Sequence, residues 1–240
     1  MQPQYKNTDM PDLRWTMPVA YWSFWSPMSA TKPDTGFIEP MVRRRLSSLS
    51  KAALKVAHDC TDGKQAIRMV FASRHGELRR TTDILRNITA AEQVSPNAFS
   101  LSVLNAMSGI FGIARGDRSP ATAISAGPES LGYALLEAYA QHMQQPSPPV
   151  LVVYADEPAD AVYGNVADEI QEGALAILVD ADTAQGHLEC AVSGTDEANG
   201  ADPRLSTQSE ALVRCLDSRQ PAAWQSANVS WQWRWHGRTA

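Results

Sequence analysis

The stretch "ATAISAGPESLGYALL", residues 121–136, holds the turn on which the predicted fold depends. An apolar run at residues 121–125 leads into Gly127 and Pro128, and a second apolar run follows. Glycine and proline favour tight turns, and proline also suits the first turn of a helix. The stretch therefore predicts a strand, a sharp elbow and a helix. Many enzymes place a nucleophile at such an elbow, but the tip here is Gly127, Pro128 and Glu129.

Strand and helix patterns alternate along the rest of the chain. Apolar or aromatic runs predict strands at residues 18–25, 67–72, 150–154, 173–179 and 188–192, and a clear alternation predicts one more at residues 229–235. Helical patterns predict helices at residues 43–60, 78–89, 101–113 and 209–216, with the elbow helix running to residue 144. Irregular structure is expected at residues 1–15, 27–40 and 197–203. This order predicts α/β layers, with helices covering a largely buried sheet.

The composition of the chain indicates one large domain. Its 240 residues are 44% hydrophobic, so the chain is large enough to fold without a disulfide or a metal. Its net charge is −5, which gives no reason to expect nucleic acid or an anionic membrane as a partner. The three cysteines, Cys60, Cys190 and Cys215, stand far apart, which argues against a zinc site. No signal-peptide pattern and no run of about 18 apolar residues occurs, so a cytoplasmic protein is expected. No metal and no cofactor are expected.

A few side chains near the predicted turns carry candidate chemistry. His75 follows the strand at residues 67–72, where it is either a general base or a turn residue satisfied by backbone. With Ser125 or Ser130 it would form a Ser–His site, although Ser130 falls in the first turn of the helix as a hydrogen bonder. The helix dipole is expected to stabilise the charged form of Glu129 without any catalysis. In a dry pocket, the same carboxylate would act as a base.

Three tryptophans of the last predicted strand, Trp231, Trp233 and Trp235, share one face because they are two residues apart. Such a face is either part of the core or an exposed interface, since aromatic residues are enriched where proteins meet. The sequence leaves both interpretations open.

The run "SPNAFSLSVLNAMSGIFGIARGDRSPATAISAG", residues 95–127, resembles the N-terminal half of β-ketoacyl synthases, and more closely their small relatives, the chain-length-factor proteins of aryl polyene pathways. "VFASRHGEL" at residues 70–78 and "GALAILVD" at residues 173–180 fit the same family in order. The resemblance covers roughly residues 15–195. It implies a single domain over the whole chain, a layered thiolase-like α/β/α half with a mixed sheet. Residues 196–240 would add a helix and a Trp-rich strand that closes the fold or forms an interface.

Carried across residue by residue, the resemblance implies that the elbow has lost its chemistry. In condensing enzymes the nucleophilic cysteine follows eight residues after the proline of a Gly-x-x-Gly-Pro turn, and the same count from Pro120 leads here to Pro128. A thiolate at a helix N-terminus is activated by the dipole and the backbone amides. Proline offers neither a nucleophile nor an N–H, so only the structural role of the position is kept.

Two further departures from the family bear on activity. In condensing enzymes, two histidines, or a histidine with a cysteine or an asparagine, activate the malonyl donor. These residues lie in the C-terminal half of the enzyme, and residues 196–240 here contain only one histidine, His236. Relatives often read Ser-Val-His-Asn where this chain has Leu104 in place of the histidine. The resemblance thus implies a subunit that is not an enzyme, in which Pro128→Cys would not restore activity.

The resemblance also implies where a partner binds. In synthases the strand before the elbow pairs with its counterpart across a two-fold axis, and a segment before the preceding helix floors the partner's acyl pocket. The matching strand residues are Ala121, Thr122, Ala123, Ile124 and Ser125, and the matching pocket residues are Ala98, Phe99 and Leu101. A bulky ring at Phe99 would fix how many carbons fit, because overfilling a packed pocket costs about 1–3 kcal/mol.

Together these features favour a non-catalytic chain length factor that pairs with a full-length β-ketoacyl synthase in aryl polyene or related fatty-acid-like biosynthesis. Acyl carrier protein would meet it only indirectly, and the shared interface is expected to exceed about 2,000 Å² in total. One alternative is an independent acyl-thioester enzyme, a malonyl decarboxylase or thioesterase that uses Glu129 or Ser130. Another is a structural homodimer that scaffolds acyl-carrier traffic.

Overall fold

The computed structural model describes residues 12–61, 63–166, 168–194 and 205–237. Within these residues the strands are Leu13–Trp25 (β1), Arg68–Ala72 (β2), Ala121–Ile124 (β3), Val150–Asp156 (β4), Gly173–Val179 (β5), Gly186–Gly194 (β6), Ala222–Gln225 (β7) and Val229–Gly237 (β8). The helices are Pro40–Arg43 (α1), Ser48–Asp59 (α2), Leu78–Thr89 (α3), Pro96–Ser100 (α4), Ala106–Arg115 (α5), Ser130–Gln144 (α6) and Gln208–Ser218 (α7).

The strands form one mixed sheet in the order β3-β2-β4-β5-β1-β6-β8-β7. Strand β2 runs parallel to β3 and β4, and the other pairs are antiparallel. Strand β1, the first in the chain, lies between β5 and β6: Trp22 is opposite Ile177, and Trp15 is opposite Cys190. Strand β3, which leads into the elbow, is therefore at one edge of the sheet.

Helices cover both faces of the sheet. Successive side chains of a strand point to opposite faces, so Val70 and Ala72 of β2 belong to the apolar cluster under α6 and α7. Met69 and Phe71 belong to the opposite cluster, under α2 and α5. The predicted fold class, a mixed sheet between helical layers, is confirmed.

Elements with clear local signals begin and end where the sequence predicts. Helix α3 spans Leu78–Thr89, and α6 ends at Gln144. The buried guanidinium of Arg68 donates to the carbonyls of Gln141 and Pro148 at 3.0 Å, which ties β2 to the end of α6 and to the segment that follows it.

The single helix predicted over residues 43–60 is wrong. The chain forms the short α1 and then α2, with Ser47 before the second helix. The Ser47 hydroxyl accepts a hydrogen bond from the Ser50 amide at 2.9 Å. Serine starts a helix in this way because it satisfies an amide that has no intrahelical partner.

The helix predicted over residues 101–113 starts later, at Ala106, and runs to Arg115. The preceding residues form turns, in which the Ser102 hydroxyl donates to the Phe99 carbonyl at 2.8 Å. Serine side chains that bond to nearby backbone groups compete with helix formation.

The strands depart from the predictions in two places. Residues 1–15 were expected to be irregular, but β1 begins at Leu13, and Arg14 forms an ion pair with Glu189 of β6. The short strand β7 has no sequence prediction at all, since four residues carry little periodicity. The loop predicted at residues 197–203 lies outside the described residues.

The tryptophans of β8 belong to the core. Trp231 and Trp233 are 0% and 1% exposed, so the core interpretation is confirmed for these two. Trp235 is half-buried, with the guanidinium of Arg219 4.1 Å from its ring centroid.

Candidate functional site

The elbow joins the end of β3 to the start of α6 by a tight turn. Gly127 has a φ of 60°, a left-handed conformation that glycine adopts without steric cost. The Glu129 amide donates to the Ala126 carbonyl, and the Ser130 amide donates to the Gly127 carbonyl, each at 3.3 Å. Pro128 lies half-buried inside this turn. The predicted sequence of strand, elbow and helix is confirmed.

The serines of the elbow are engaged by the backbone. Ser130 is 1% exposed. Its hydroxyl accepts a hydrogen bond from the Ala126 amide at 2.9 Å and donates one to the Gly127 carbonyl at 2.7 Å. The Ser125 hydroxyl donates to the Arg74 carbonyl at 3.0 Å. Both hydroxyls therefore hold the turn together, as the sequence suggested for Ser130.

His75 does not join a serine site. Its Nε2 lies 2.8 Å from Glu169 Oε1, so its ring faces a carboxylate on another loop. The His75 amide donates to the buried carboxylate of Asp156 at 3.1 Å, and the Ser73 hydroxyl donates to the same carboxylate at 3.0 Å. His75 thus lies in the turn after β2, as one of the two interpretations expected, but its ring meets the Glu169 carboxylate and not the backbone.

Glu129 is a half-buried carboxylate at the N-cap position of α6. Burial raises the pKa of Glu129, and the hydrogen bond from Trp231 only partly opposes this effect. Desolvation of the carboxylate therefore opposes the charged form that the helix dipole was expected to stabilise. Burial also raises the pKa of Tyr133, and the nearby Glu129 charge adds to that shift.

Trp231 of β8 closes the space beside the elbow. Its indole Nε1 donates to Glu129 Oε2 at 3.2 Å. Its ring packs edge-on against Tyr133, with the centroids 5.3 Å apart, and edge-on against Trp15 at 6.1 Å. A Cβ atom on Gly132 would lie 2.6 Å from three carbons of the same ring, so only glycine fits there.

Sequence reasoning missed this contact between the elbow and β8. One signal was available: Gly132 interrupts an otherwise regular helix, and a glycine in a helix often marks a close approach of another group. The approaching group is Trp231, which is 102 residues from Glu129 in the chain, and the pattern did not reveal it.

The residues expected at a partner interface are on the surface. In α4, Phe99 is 64% exposed, and Ala98 and Leu101 beside it are half-buried. In β3 and its extension, Ala121 and Ser125 are exposed, and the three residues between them are half-buried. Ile113 of α5 is a further large apolar side chain that is 83% exposed.

Leu104 serves the core where relatives often carry histidine. Its Cδ1 would lie 3.2 Å from a Cβ on Gly76, a glycine with a φ of 57° in the turn after β2. Leu104 packs against the cluster that lies under α2 and α5.

The three cysteines are buried in the core, away from the elbow. Cys60 ends α2, Cys190 lies in β6 and Cys215 lies in α7. Burial raises the pKa of Cys60 and of Cys190, and raises the pKa of Cys215 to about 11. Such thiols stay protonated and unreactive near neutral pH.

The described residues contain no group of three or more His, Cys, Asp or Glu side chains placed to hold a metal ion. A cavity of about 680 Å³ that is lined by described residues lies between the end of β1 and α7, and includes Phe24, Met28 and Val213 in its lining. Two further cavities lined by described residues also contain no residue of the elbow. In the part of the chain that is described, no helix is long and apolar enough to cross a membrane.

The family comparison agrees with this architecture. The sequence profile of the β-ketoacyl synthase N-terminal domain matches residues 18–234. No curated protein sequence matches the chain.

Solved structures with a similar fold come from ketosynthase systems. A chain from the ketosynthase ApeO in complex with its chain length factor ApeC, from Xenorhabdus doucetiae, matches with a TM-score of 0.74 and 24% identity over 92% of this chain and 99% of that chain. The ishigamide ketosynthase/chain length factor matches with a TM-score of 0.57 and 18% identity over 84% of this chain and 72% of that chain. Ketosynthase twelve of the bacillaene polyketide synthase from Bacillus amyloliquefaciens matches with a TM-score of 0.52 and 13% identity, over 85% of this chain and 50% of that chain.

Proposed function

This chain belongs to the β-ketoacyl synthase N-terminal domain family, and from that premise we propose that it is a non-catalytic, chain-length-factor-like subunit. It pairs with a full-length β-ketoacyl synthase and shapes the acyl pocket of that partner in aryl polyene or related fatty-acid-like biosynthesis. The observation that carries the proposal is the elbow. The strand, turn and helix of a condensing enzyme are present, and Pro128 stands where the resemblance places the nucleophile.

The chemistry of the elbow supports the loss of catalysis. A condensing nucleophile must be a reachable thiolate, and all three cysteines of the chain are buried thiols with a raised pKa. The alternative acyl-thioester enzyme would need Glu129 or Ser130 as a free reacting group. The hydrogen bonds of Ser130 to the turn and of Glu129 to Trp231 give that alternative little support.

The free edge of the sheet supports the pairing. Within the described residues β3 pairs only with β2, so its other side presents unpaired backbone groups. The Met69 amide donates to the Pro120 carbonyl and the Ser73 amide to the Ile124 carbonyl, so alternate groups in between, such as the Ala123 amide, point outward. Open strand edges are templates for pairing with another chain.

Exposed apolar side chains of α4, α5 and the segment between them also support a binding surface. Phe99 and Ile113 are mostly exposed, and Val103 between them along the chain is 47% exposed. Burying such side chains against a partner removes apolar area from water, which stabilises association. In this arrangement Ala98, Phe99 and Leu101 are the residues that reach the partner's acyl pocket. Two of the similar structures contain a ketosynthase and a chain length factor, which is consistent with this role.

Co-expression with a full-length β-ketoacyl synthase from the same organism tests the proposal. The expected result is a 1:1 complex by its mass in solution, with this chain insoluble or aggregated when it is produced alone. A well-behaved monomer or homodimer that does not bind the synthase would overturn the proposal, and would direct attention to chemistry at Glu129.

A further inference from the structure

The first turn of α6 is covered by an indole that belongs to the last described strand. Trp231 is fully buried, contacts Tyr133 edge-on and donates to Glu129 at 3.2 Å. Its ring occupies the space that a side chain at position 132 would need, since a Cβ on Gly132 would lie 2.6 Å from it. A side chain on a helix covers the surface on the N-terminal side of its own Cα. The space filled by the indole is therefore the space between Gly132 and the elbow.

We propose that Trp231 seals the elbow of this chain against acyl chains. Pro128 directly precedes Glu129, the N-cap residue that accepts the indole hydrogen bond, and Gly132 in the first turn of α6 lies against the same ring, so the indole lies along the helix start beside position 128. An alkyl chain attached at position 128 and extended along α6 would therefore run into the indole. The seal makes Trp231 a second barrier to chemistry at this elbow, independent of the missing nucleophile.

The indole is held from several directions, so it is a fixed part of the core. Trp15 of β1 packs edge-on against it with centroids 6.1 Å apart, and Trp233 stacks on it at 6.4 Å. Its strand β8 is paired on both sides, with β6 and with β7. On the opposing helix, the Gly132 amide donates to Gln208 Oε1 at 2.8 Å, which fixes α6 relative to α7. A side chain enclosed in this way closes the space permanently.

This inference deepens the proposed function and rests on it for its meaning. In a complex of the proposed kind, the growing acyl chain would lie wholly in the partner subunit, and this chain would limit its length only from the α4 side. The seal itself is a property of this chain alone.

A thiol placed at the elbow measures the seal directly. Pro128→Cys is treated with N-methylmaleimide and with N-octylmaleimide, and the intact mass of this chain reports the rate of each addition. The native cysteines are buried thiols with a raised pKa, so they should react slowly. The wild-type chain, treated with the same maleimides, measures this background. Free glutathione, treated with the same two maleimides, is the reference thiol. For Pro128→Cys the ratio of the octyl rate to the methyl rate is expected to be at least about tenfold lower than for glutathione, because forcing extra carbons into a packed space is costly.

Removing the indole should restore the ratio. Pro128→Cys with Trp231→Ala is expected to bring the octyl-to-methyl ratio to within about threefold of the glutathione value, since the barrier to the long chain is gone. The matched control is Pro128→Cys with Trp233→Ala, which removes an equally buried indole from the same strand. That control is expected to keep the low ratio.

The inference is overturned if Pro128→Cys alone shows the glutathione ratio, because the elbow is then open. It is also overturned if Trp233→Ala raises the ratio as much as Trp231→Ala does. If the variant with Trp231→Ala does not fold, Trp231→Leu replaces that substitution. The variant with Pro128→Cys alone still shows whether the elbow is open or closed to the octyl chain. The mass readout resolves this chain inside a complex as well as alone, so the seal and the pairing with a synthase are judged separately.

Discussion

The indole Nε1 of Trp231 donates to the carboxylate of Glu129 across 3.2 Å, which joins the last described strand to the first turn of the helix after the elbow. The two residues are 102 positions apart in the chain. The contact couples the elbow to strand β8. It also places a half-buried carboxylate in an apolar surrounding, with measurable consequences for stability.

Glu129→Gln is expected to stabilise the chain slightly at neutral pH. Burial raises the pKa of Glu129 above its unfolded value, so the stability it contributes is present at low pH and is lost as pH rises through the folded pKa. The neutral amide avoids that loss. Because the group is only half-buried, the gain in the free energy of unfolding at pH 7 is below about 1 kcal/mol. Urea unfolding at pH 4 and pH 7 should show the gain at the higher pH only.

The same variant should leave partner binding and pathway turnover unchanged, since the proposed function assigns no chemistry to Glu129. A large loss of turnover with complex formation intact would contradict the non-catalytic role and support the acyl-thioester enzyme.

Glu169→Gln is expected to behave in the opposite way. Burial alone would raise the pKa of Glu169, but hydrogen bonds from His75 and from the Ile170 and Ala159 amides lower it overall. Its contribution to stability is therefore present above the unfolded pKa of about 4.3 and is lost as pH falls through the folded pKa. We expect a loss of about 1 kcal/mol at pH 7 that shrinks below pH 4. A loss that is equal at both pH values would argue against a charged interaction.

Gly132→Ala is expected to destabilise the chain by about 1–3 kcal/mol, although alanine is the better helix former. The new Cβ would lie 2.6 Å from the Trp231 ring, so α6 or β8 must shift. Gly109→Ala in α5 is the control, because nothing lies within 4 Å of its Cβ position. It should stabilise the chain by up to about 1 kcal/mol. Thermal or urea unfolding of both variants tests the pair, and equal effects would contradict the close packing at Gly132.

Ala123→Pro is expected to weaken binding of the partner synthase. Proline removes the outward amide of β3 while the bonds to β2 on either side remain. Ala123→Ser keeps the amide and should bind normally. The amount of synthase that co-purifies with each variant is the readout, with the free energy of unfolding of this chain as the check on its fold. Equal co-purification of the proline and serine variants would exclude strand pairing at this edge.

Phe99→Ala is expected to lengthen the products of the complex without destabilising this chain. Its ring is 64% exposed, so its removal should change the free energy of unfolding by less than about 0.5 kcal/mol. Phe111→Ala, at a residue that is 3% exposed, should cost about 3–5 kcal/mol instead. Mass spectrometry of the products reports chain length. An unchanged product distribution in a fully assembled complex would mean that Phe99 does not reach the acyl pocket.

Sequence patterns predicted the elements whose signals are local. Strand β5 spans the predicted residues, α3 has its predicted bounds, and the Gly127 turn stands where the sequence placed it. In each case an apolar period or a glycine and proline pair carries the information within about a dozen residues.

The predictions that failed depend on partners far away in the chain or on a single side chain. The start of β1 is determined by pairing with β6, and the break before α2 by the Ser47 hydroxyl. The burial that raises the pKa of Glu129 was not predicted, because periodicity does not reveal the contact between Glu129 and Trp231. The strand, the turn and the helix of the elbow were therefore predicted at the right residues, while their surroundings required the tertiary structure.

The position of β1 in the middle of the sheet has a consequence for synthesis on the ribosome. This aromatic strand waits about 150 residues for β5, the first of its two neighbours to be made. At about 5–20 residues per second, the nascent chain holds the strand unpaired for roughly 8–30 s. Its apolar side chains are open to chaperones, or to other nascent chains, during that interval. Strand β1 therefore cannot be paired until β5 and β6 have been synthesised, and the yield of folded protein should depend on the rate of synthesis and on chaperone supply.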